Sequence, residues 1–532
     1  MGAGLDAWPQ WTDPALDHLT AVVAWLDGPE AMGCRHGDLE AHLQVDSRET
    51  YRLLLQGHLD ERARREPRRT GVTGSDGVAR PRVENGHQRG LTSVFGTVTV
   101  TRKAYRAAPV RTAADAAAGV TPDHAGSGAA WDGARVVKMP GNLHPADAGL
   151  NLPPGRPSAG LARLAAIEAA RGSYDDACDG VARVTGVRLG KRQVEDLARH
   201  AACDVEAFYA AGRPEPRPGL VLALQCDGKG IVMRPGSLRP ATAKAAARAC
   251  SKLSTRLSPG EKHGRKRMAE IVAVYDLDPA ARTLDDIIPD PRADAPIQRQ
   301  PVPVVTGKWL SATVIDDIPA AVAGMFDEAE RRDPRHERAW VALVDGNRQQ
   351  IEAITDHAAT RGISVQLLID FVHVLEYLWN AAWTFYYTGD EDAETWVAGH
   401  ARTILAGHAA QAAQTIARQA DAGRFRGSER TGADKAVAYL TAKAGHLDYA
   451  TALANGWQIA TGIIEGAARH LIKDRMDITG ARWTTHGAQA VLALRAVITN
   501  GDFDTYWAFQ CQQQELRRNH LNHYHEQFDL AA

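Results

Sequence analysis

Two short apolar runs, each leading to an aspartate, constrain the fold of this chain more than any other feature. The first run, residues 220–226, leads to Asp227, and the second, residues 340–344, leads to Asp345. Short apolar runs that end at turn residues are typical of buried strands. Because helical patterns lie between and after these runs, the sequence predicts an α/β layer architecture from about residue 219 onward.

The predicted strands and helices alternate over much of the C-terminal half. The strands are predicted at residues 219–226, 270–276, 340–344 and 363–369, and the helices at 316–332, 347–360 and 371–387. Strand signals then vanish, and Ala-rich helical sequence indicates an all-α insertion inside the α/β domain.

At 532 residues the chain is too long for a single core, so several regions are expected. They are a helical N-terminal region (1–88), a β-hairpin with an irregular connector (89–159), a helix-turn-helix-like region (160–215), an α/β domain in two parts (216–387 and 459–510) around the insertion (388–458), and a C-terminal tail (511–532).

The helix-turn-helix pattern begins at Ser173, which is placed to cap a helix. A turn at residues 185–187 follows, and the next helix begins with Lys191, Arg192 and Gln193. Basic and amide residues at the start of a second helix are typical of DNA-reading helix pairs. A plain pair of antiparallel helices explains this segment equally simply, and from this segment alone it is the slightly favoured interpretation.

A third acidic residue, Glu465, lies in the first turn of a predicted amphipathic helix over residues 462–472. Two aspartates at strand ends and a glutamate at a helix start can hold two divalent ions around a phosphodiester. Mg²⁺ or Mn²⁺ is the expected metal, because hard ions prefer carboxylate oxygens. The sequence therefore predicts that Asp227, Asp345 and Glu465 are catalytic residues and the ligands of two such ions.

Each of these carboxylates also has a purely structural interpretation. Asp227 and Asp345 both precede glycine, and such dipeptides are ordinary turns. Glu465 could simply favour the start of its helix through the helix dipole, although Ile464 occupies the position that a capping box from Thr461 would require. Taken singly the structural role is favoured, but the three together favour catalysis.

A one-sided basic segment follows Asp227, with Glu261 as its one acidic residue. Such a segment beside a metal site suits a DNA backbone, whereas a solvated loop is the simpler alternative. A second basic and aromatic surface is predicted after Glu465. The basic segment contains Lys229, Arg234, Arg239, Lys244, Arg248, Lys252, Arg256, Lys262, Arg265, Lys266 and Arg267, and the second surface contains Arg469, Lys473, Arg475, Arg482 and Trp483.

The composition narrows the remaining classes of protein. The six cysteines include no CxxC pair, which argues against a disulfide scaffold or a zinc module. No secretion signal and no apolar run of the ~18 residues needed to span a bilayer is present, so a soluble cytoplasmic protein without membrane contact is expected. A glycosidase using paired carboxylates is disfavoured, because the basic segment suits a neutral sugar poorly and aromatic residues make up 6% of the chain.

Several motifs together resemble bacterial insertion-sequence transposases of the DDE class, and the Kra-type insertion-sequence family in particular. The resemblance extends over about residues 89–510. The motifs that carry it are Cys226-Asp227-Gly228-Lys229, Val344-Asp345-Gly346-Asn347, Gly462-Ile463-Ile464-Glu465-Gly466, Lys473-Asp474-Arg475-Met476 and Gly480-Ala481-Arg482-Trp483, with upstream stretches at 143–147, 150–153 and 170–174.

This resemblance implies an RNase H-like catalytic domain interrupted by an α-helical insertion, with the same three carboxylates at its centre. Residues 370–373 are similar to an Asp/Cys-x-x-His element of related transposases, which implies that Asp370 and His373 support the site. It further implies binding to double-stranded inverted-repeat and target DNA, with Lys191, Arg192 and Gln193 as contacts, by a homo-oligomer. A catalytically silent, transposase-derived DNA-binding protein is the alternative.

Overall fold

The computed structural model describes residues 8–74, 76–108, 130–132, 135–137, 141–212, 217, 220–248, 265–289, 302–478 and 480–522. The chain divides into two compact units. The first comprises Met1–Asp204 together with Asp504–Ala532, and the second comprises Val205–Phe503. The C-terminal segment predicted as a tail (511–532) is helical as far as Asn522 and belongs to the first unit.

The first unit begins with three helices, the third of which packs against a long hairpin. Helices α1 (Asp13–Leu26), α2 (Pro29–Met32) and α3 (His36–Arg64) are followed by strands β1 (Arg82–Ser93) and β2 (Gly96–Arg106), which pair antiparallel. Leu59 of α3 packs in one core cluster with Val98 and Val100 of β2.

Strand β1 begins well before the hairpin that the sequence predicts at residues 91–101. Its first residues belong to segment 67–88, whose richness in Arg, Gly and Pro predicts a linker, and the structure shows that residues 82–88 are strand instead. The register slips between Glu84 and His87, where Gly86 adopts a positive φ of 74°. Pairing with β2 therefore imposes strand geometry on residues whose own propensity for it is low.

Three further helices of this unit pack on one another. Two short strands and a short helix precede them, namely β3 (Ala130–Asp132), β4 (Arg135–Val137) and α4 (Pro145–Gly149), and the three helices are α5 (Ala159–Arg171), α6 (Tyr174–Thr185) and α7 (Lys191–Ala201). Ser173 caps α6 as predicted, since its Oγ accepts from the Asp176 N–H at 3.1 Å and the Asp176 carboxylate accepts from the Ser173 N–H at 3.0 Å. Gly186, with φ 72°, ends α6.

The second unit is built on a five-stranded mixed sheet. Its strands are β5 (Val221–Val232), β6 (Lys266–Asp278), β7 (Val304–Thr313), β8 (Trp340–Val344) and β9 (Val365–Ile369). Helix α8 (Val205–Ala211) precedes β5, and the helices between the strands are α9 (Pro240–Arg248), α10 (Leu284–Ile287), α11 (Ile318–Arg332) and α12 (Arg348–Arg361). The strand order is β7-β6-β5-β8-β9, in which β5 pairs antiparallel with β6 and parallel with β8, and β8 pairs parallel with β9.

Strand β7 is an element that the sequence analysis missed. Pro303 immediately precedes this strand and Gly307 interrupts its pattern, where Gly307 adopts a φ of 58°. A Cβ built at Gly307 would lie 2.5 Å from Oδ2 of Asp276, so this position requires glycine. The glycine that interrupts the apolar pattern is therefore needed for the close approach of β7 to β6, and it does not indicate a loop.

Helices occupy the segment predicted as an all-α insertion. Helix α13 (Phe371–Ala382) leads into it and packs against two of its helices. The helices of the segment are α14 (Glu391–Leu405), α15 (Ala409–Ala422), α16 (Thr431–Ala442) and α17 (Tyr449–Ala454).

Within this insertion, the imidazole of His400 contacts the indole of Trp396, with the ring centroids 4.3 Å apart. Burial lowers the pKa of His400 to about 4, whereas an unfolded histidine titrates near 6.5. Because the unfolded chain binds the proton more tightly, this residue makes the folded state less stable as the pH falls from 6.5 to 4.

We expect His400→Phe to lessen the acid sensitivity of folding. Between pH 7 and pH 4 the free energy of unfolding of the variant should fall by about 2 kcal/mol less than that of the unchanged protein. Urea unfolding at several pH values, followed by circular dichroism, measures this difference. Parallel pH profiles for the two proteins would contradict the assignment.

The chain returns to the sheet through helix α18 (Gly462–Ala467), which continues in a wider π-helical turn (Ala468–Lys473) and α19 (Asp474–Met476). Helices α20 (Thr485–Asn500) and α21 (Phe503–Asn522) follow. Within the residues that the structure describes, no helix combines the length and the hydropathy needed to cross a lipid bilayer.

Candidate active site

Asp227 and Asp345 lie level with each other on adjacent parallel strands. The last paired residues of β5 and β8 are Gln225 and Leu343, and each aspartate follows two residues later. Neighbouring strands are about 4.8 Å apart, so the two carboxylates emerge close together at one edge of the sheet. The strands place them there because both runs are almost entirely apolar and buried up to this point.

Glu465 is exposed in the first turn of α18 and is linked to the same edge through Thr461. The hydroxyl of Thr461 lies 3.3 Å from Oε1 of Glu465 and donates to Oδ2 of Asp370. Asp370 is fully buried, and its backbone N–H donates to the carbonyl oxygen of Val344, the residue before Asp345. A short chain of contacts therefore joins Glu465 to the end of β8.

The charges of Asp345 and Glu465 both act on the carboxyl group of Asp227. The pKa of Asp227 is raised, first by burial and then by the negative charges of Asp345 and Glu465, while the Gly228 N–H and Lys229 oppose the shift. The fold therefore brings both acids within electrostatic range of Asp227, although more than a hundred residues separate each from the next along the chain. Like charges gathered in this way are typical of sites that bind cations or move protons.

The sequence analysis missed one acidic side chain beside this edge. Glu270 on β6 pairs with Gly228 and is 8% exposed, and its carboxylate lies against the Gly228 backbone. Burial, reinforced by the charge of Asp227, raises the pKa of Glu270 to about 7. The signal that could have identified Glu270 is its position between apolar residues at the start of a predicted buried strand. Because paired residues share a face and Asp227 is offset by one residue, Glu270 projects from the opposite face of the sheet.

His373 lies apart from the contact chain that includes Asp370. Asp370 caps α13, since its Oδ1 accepts from the Val372 N–H at 2.9 Å. The His373 imidazole instead lies 3.2 Å from the Glu376 carboxylate on the same helix. The structure therefore connects Asp370 with Glu465 and connects His373 with its own helix.

The basic residues around β5 differ in exposure and contacts. Lys229, Arg234 and Lys266 are exposed, whereas Arg265 and Arg267 are half-buried. The guanidinium of Arg267 donates to the carbonyl oxygen of Ile315 at 3.1 Å, which fixes its position. The middle of the basic segment, including Lys252, Arg256 and Lys262, lies outside the described residues.

Arg475 and Trp483 are buried, which corrects the predicted DNA-binding surface after Glu465. They are 2% and 5% exposed, and the Arg475 guanidinium lies 4.7 Å from the centre of the Trp483 ring. The backbone of Trp483 bonds to Val232 and Arg234 at the end of β5, so the ring anchors this loop and cannot stack on a base. The sequence around Arg475 and Trp483 does not indicate whether these side chains face the solvent or the core.

The other cations of this segment remain on the surface, and Arg469, Lys473 and Arg482 are all exposed. The nearest ion-pair partner of Arg469 is Asp474, at 3.9 Å, and not Glu465. In a regular helix Arg469 and Lys473, four and eight residues after Glu465, would lie on the same face as Glu465. The wider turn over Ala468–Lys473 changes the angular spacing, so this regular geometry does not apply.

In the first unit, the residues predicted to contact DNA lie at the start of α7 and are exposed. Lys191 forms an ion pair of 2.7 Å with Asp175 on α6, and the Gln193 side chain accepts from the Gly190 N–H at 3.0 Å. Arg192 has no ion-pair partner among the described residues. Of the two cations, Arg192 is therefore the one whose charge is more available to another molecule.

Three carboxylates are the kind of ligand that a two-ion Mg²⁺ or Mn²⁺ site requires. Their side chains do not, however, form a complete coordination sphere. Across the described ranges, no three His, Cys, Asp or Glu side chains converge closely enough to hold one metal ion. Mg²⁺ is often held by one or two carboxylates and completes its shell with water. Asp227, Asp345 and Glu465 are the side chains that would hold such ions.

The loop after Asp345 is held in place by the helical insertion. Gly346 has a φ of 91°, and a Cβ at this position would lie 2.8 Å from the hydroxyl oxygen of Tyr439 on α16. The Tyr439 ring stacks on Tyr377 with a centroid distance of 3.9 Å, so it cannot move aside easily. The insertion therefore helps to fix the backbone that carries Asp345.

We expect Gly346→Ala to disturb the position of Asp345 as well as to strain the backbone. A control is Gly362→Ala, because Gly362 also has a positive φ of 67° but no atom lies within 4 Å of its Cβ position. Both variants should lose about 1–2 kcal/mol of folding free energy, and Gly346→Ala should lose more. Thermal unfolding of the two proteins measures this difference, and equal losses would contradict a steric role for Tyr439.

A scan against protein-family models and a search of curated proteins find no match to this chain.

Proposed function

We propose that this chain is a DDE transposase, which cleaves DNA at the ends of an insertion sequence and joins the freed 3′ ends to target DNA. The observation that carries the proposal is the placement of the three acids. Asp227 and Asp345 lie level with each other on adjacent parallel strands, and Glu465 is linked to the same edge of the sheet through Thr461 and Asp370. The alternation of strands and helices, the all-α segment before Glu465 and the motifs described above support the same conclusion.

The topology of the second unit supports an RNase H-like catalytic domain. Strands β5, β6 and β7 form an antiparallel meander, and β8 and β9 extend it as a parallel pair beside β5. The aspartates emerge from the central pair, β5 and β8, and the carboxyl ends of parallel strands are where α/β sheets carry their sites.

In this proposal Asp227, Asp345 and Glu465 hold two Mg²⁺ or Mn²⁺ ions. When bound, the ions would stabilise the charges on the attacking and leaving oxygens of phosphoryl transfer. The cations around the edge, which include Lys229, Arg234, Lys266 and Arg482, bind the DNA backbone without reading its sequence. Helix α7 of the first unit binds the inverted repeats, and the working form is a homo-oligomer.

A DNA cleavage assay tests the proposal. The full-length protein is incubated with duplex DNA that carries the sequences flanking its own reading frame, with Mg²⁺ or with a chelator. We expect end-specific nicking and strand joining with Mg²⁺ and neither with the chelator. Specific binding without nicking under any divalent ion would favour the catalytically silent DNA-binding protein, and the absence of both would overturn the proposal.

A further inference from the structure

The side chain of Gln225 joins the strand of Asp227 to the helix of Glu465. Gln225 is 1% exposed and lies two residues before Asp227, so both side chains project from the same face of β5. Its Oε1 accepts from the backbone N–H of Ile464 at 3.0 Å. Ile464 immediately precedes Glu465. The hydrogen bond therefore connects the strand that carries Asp227 with the helix that carries Glu465.

This bond meets a specific need of helix α18. The first backbone N–H groups of a helix have no partner within the helix, and Thr461 provides no side-chain cap because its hydroxyl is directed to Asp370. The carboxamide of Gln225, which lies on strand β5, instead caps the first turn of α18 by accepting from the Ile464 N–H. The start of α18 is thereby tied to β5, in addition to its link with β8 through Asp370.

Two further side chains fix the orientation of the carboxamide. Nε2 of Gln225 donates to the hydroxyl of Tyr275 at 2.8 Å, and that hydroxyl donates to Oε1 of Gln458 at 2.6 Å. Tyr275 is fully buried, and burial raises the pKa of its hydroxyl, which keeps the proton needed for the second bond. The reversed amide would place its NH₂ group against the Ile464 N–H, so only one orientation satisfies every group.

We infer that Gln225 is a positioning residue that sets the distance between Asp227 and Glu465. The inference rests on the proposed function, because it concerns the same carboxylates. Neither the acids nor the basic surface requires a buried amide, and an apolar residue would suit the neighbouring core better. A polar side chain at this position is therefore explained by the geometry that it imposes on the Glu465 helix.

The decisive variant is Gln225→Leu, which keeps the volume of the side chain and removes both hydrogen bonds. We expect the strand-joining rate at saturating DNA to fall about 10- to 100-fold, as for other residues that orient metal ligands. The Mg²⁺ concentration giving half-maximal rate should rise, while the affinity for DNA ends stays unchanged. A matched control is Gln350→Leu, since Gln350 on α12 is also 1% exposed, and its loss should leave the Mg²⁺ requirement unchanged.

A second variant separates positioning from general destabilisation. Gln225→Glu, when its carboxyl is protonated, can still accept from Ile464 and donate to Tyr275. Its rate relative to the unchanged protein should therefore rise as the pH is lowered, whereas that of Gln225→Leu should not. If Gln225→Leu does not fold, Tyr275→Phe, which removes only the orienting hydroxyl, replaces it and should show a smaller rise in the Mg²⁺ requirement.

The two possible failures can be told apart. If the unchanged protein shows no divalent-ion-dependent cleavage, the proposed function fails. If the unchanged protein is active and the Gln225 variants keep its Mg²⁺ requirement and its pH profile, only the positioning role is overturned.

Discussion

Asp227→Asn is expected to abolish divalent-ion-dependent cleavage and joining while leaving the binding of DNA ends intact. The substitution removes the carboxylate that is coupled to both other acids. The rate should fall by about a thousandfold or more, which corresponds to about 4 kcal/mol of lost transition-state stabilisation. Single-turnover cleavage and a gel-shift assay on the same duplex measure the two effects separately.

The same substitution should not weaken the fold. Three neighbouring carboxylates repel one another, and burial adds to the cost of charge on Asp227. We therefore expect the unfolding midpoint of Asp227→Asn to stay constant or to rise. Glu465→Gln should behave in the same way, whereas Glu352→Gln, at an exposed ion pair with Arg348, should retain full activity. Strand joining by either active-site variant would show that the site is wrongly assigned.

The sequence was sufficient to locate the strands that carry the two aspartates, because their apolar runs are continuous and end abruptly. Strand β8 begins and ends where it was predicted, at Trp340 and Val344. Strand β5 extends to Val232, six residues beyond its predicted end at residue 226. This extension passes through Asp227, Gly228 and Lys229, whose composition indicates a turn. Pairing with β6 overrides that local preference.

Tertiary contacts decide most of what the sequence did not reveal about the site. The burial of Arg475 and Trp483 depends on a loop that bonds to the end of β5, and no local pattern encodes that contact. The link from Gln225 to Ile464 joins residues 239 positions apart, so spacing arguments cannot find it. The wider turn after Glu465 likewise has no signature in the hydrophobic period of the sequence.

On β6, beside β7, Asp276 is expected to make a large contribution to the stability of the fold. It is 4% exposed and accepts from Nη2 of Arg338 at 2.7 Å, and Arg332 and Arg217 lie 3.6 Å away. Removing one partner of a buried ion pair leaves the other charge uncompensated, which typically costs about 3–5 kcal/mol. Asp276→Ala should therefore lose about that much folding free energy, as measured by denaturant unfolding of the full-length protein.

The comparison that makes this prediction specific is Glu352→Ala, which removes one partner of the exposed pair with Arg348, at 2.6 Å. Solvent screens that pair, so its loss should cost less than about 1 kcal/mol. The Asp276 side chain also lies against Gly307, whose missing Cβ permits the approach of β7. If the two variants are equally stable, Arg338 and Arg332 find other partners when Asp276 is lost, since their guanidinium groups already donate to the carbonyl oxygens of Leu220 and Gly307. A large difference would instead place the acid among the interactions that hold β6, β7 and α11 together, on which the positions of Asp227 and its neighbours depend.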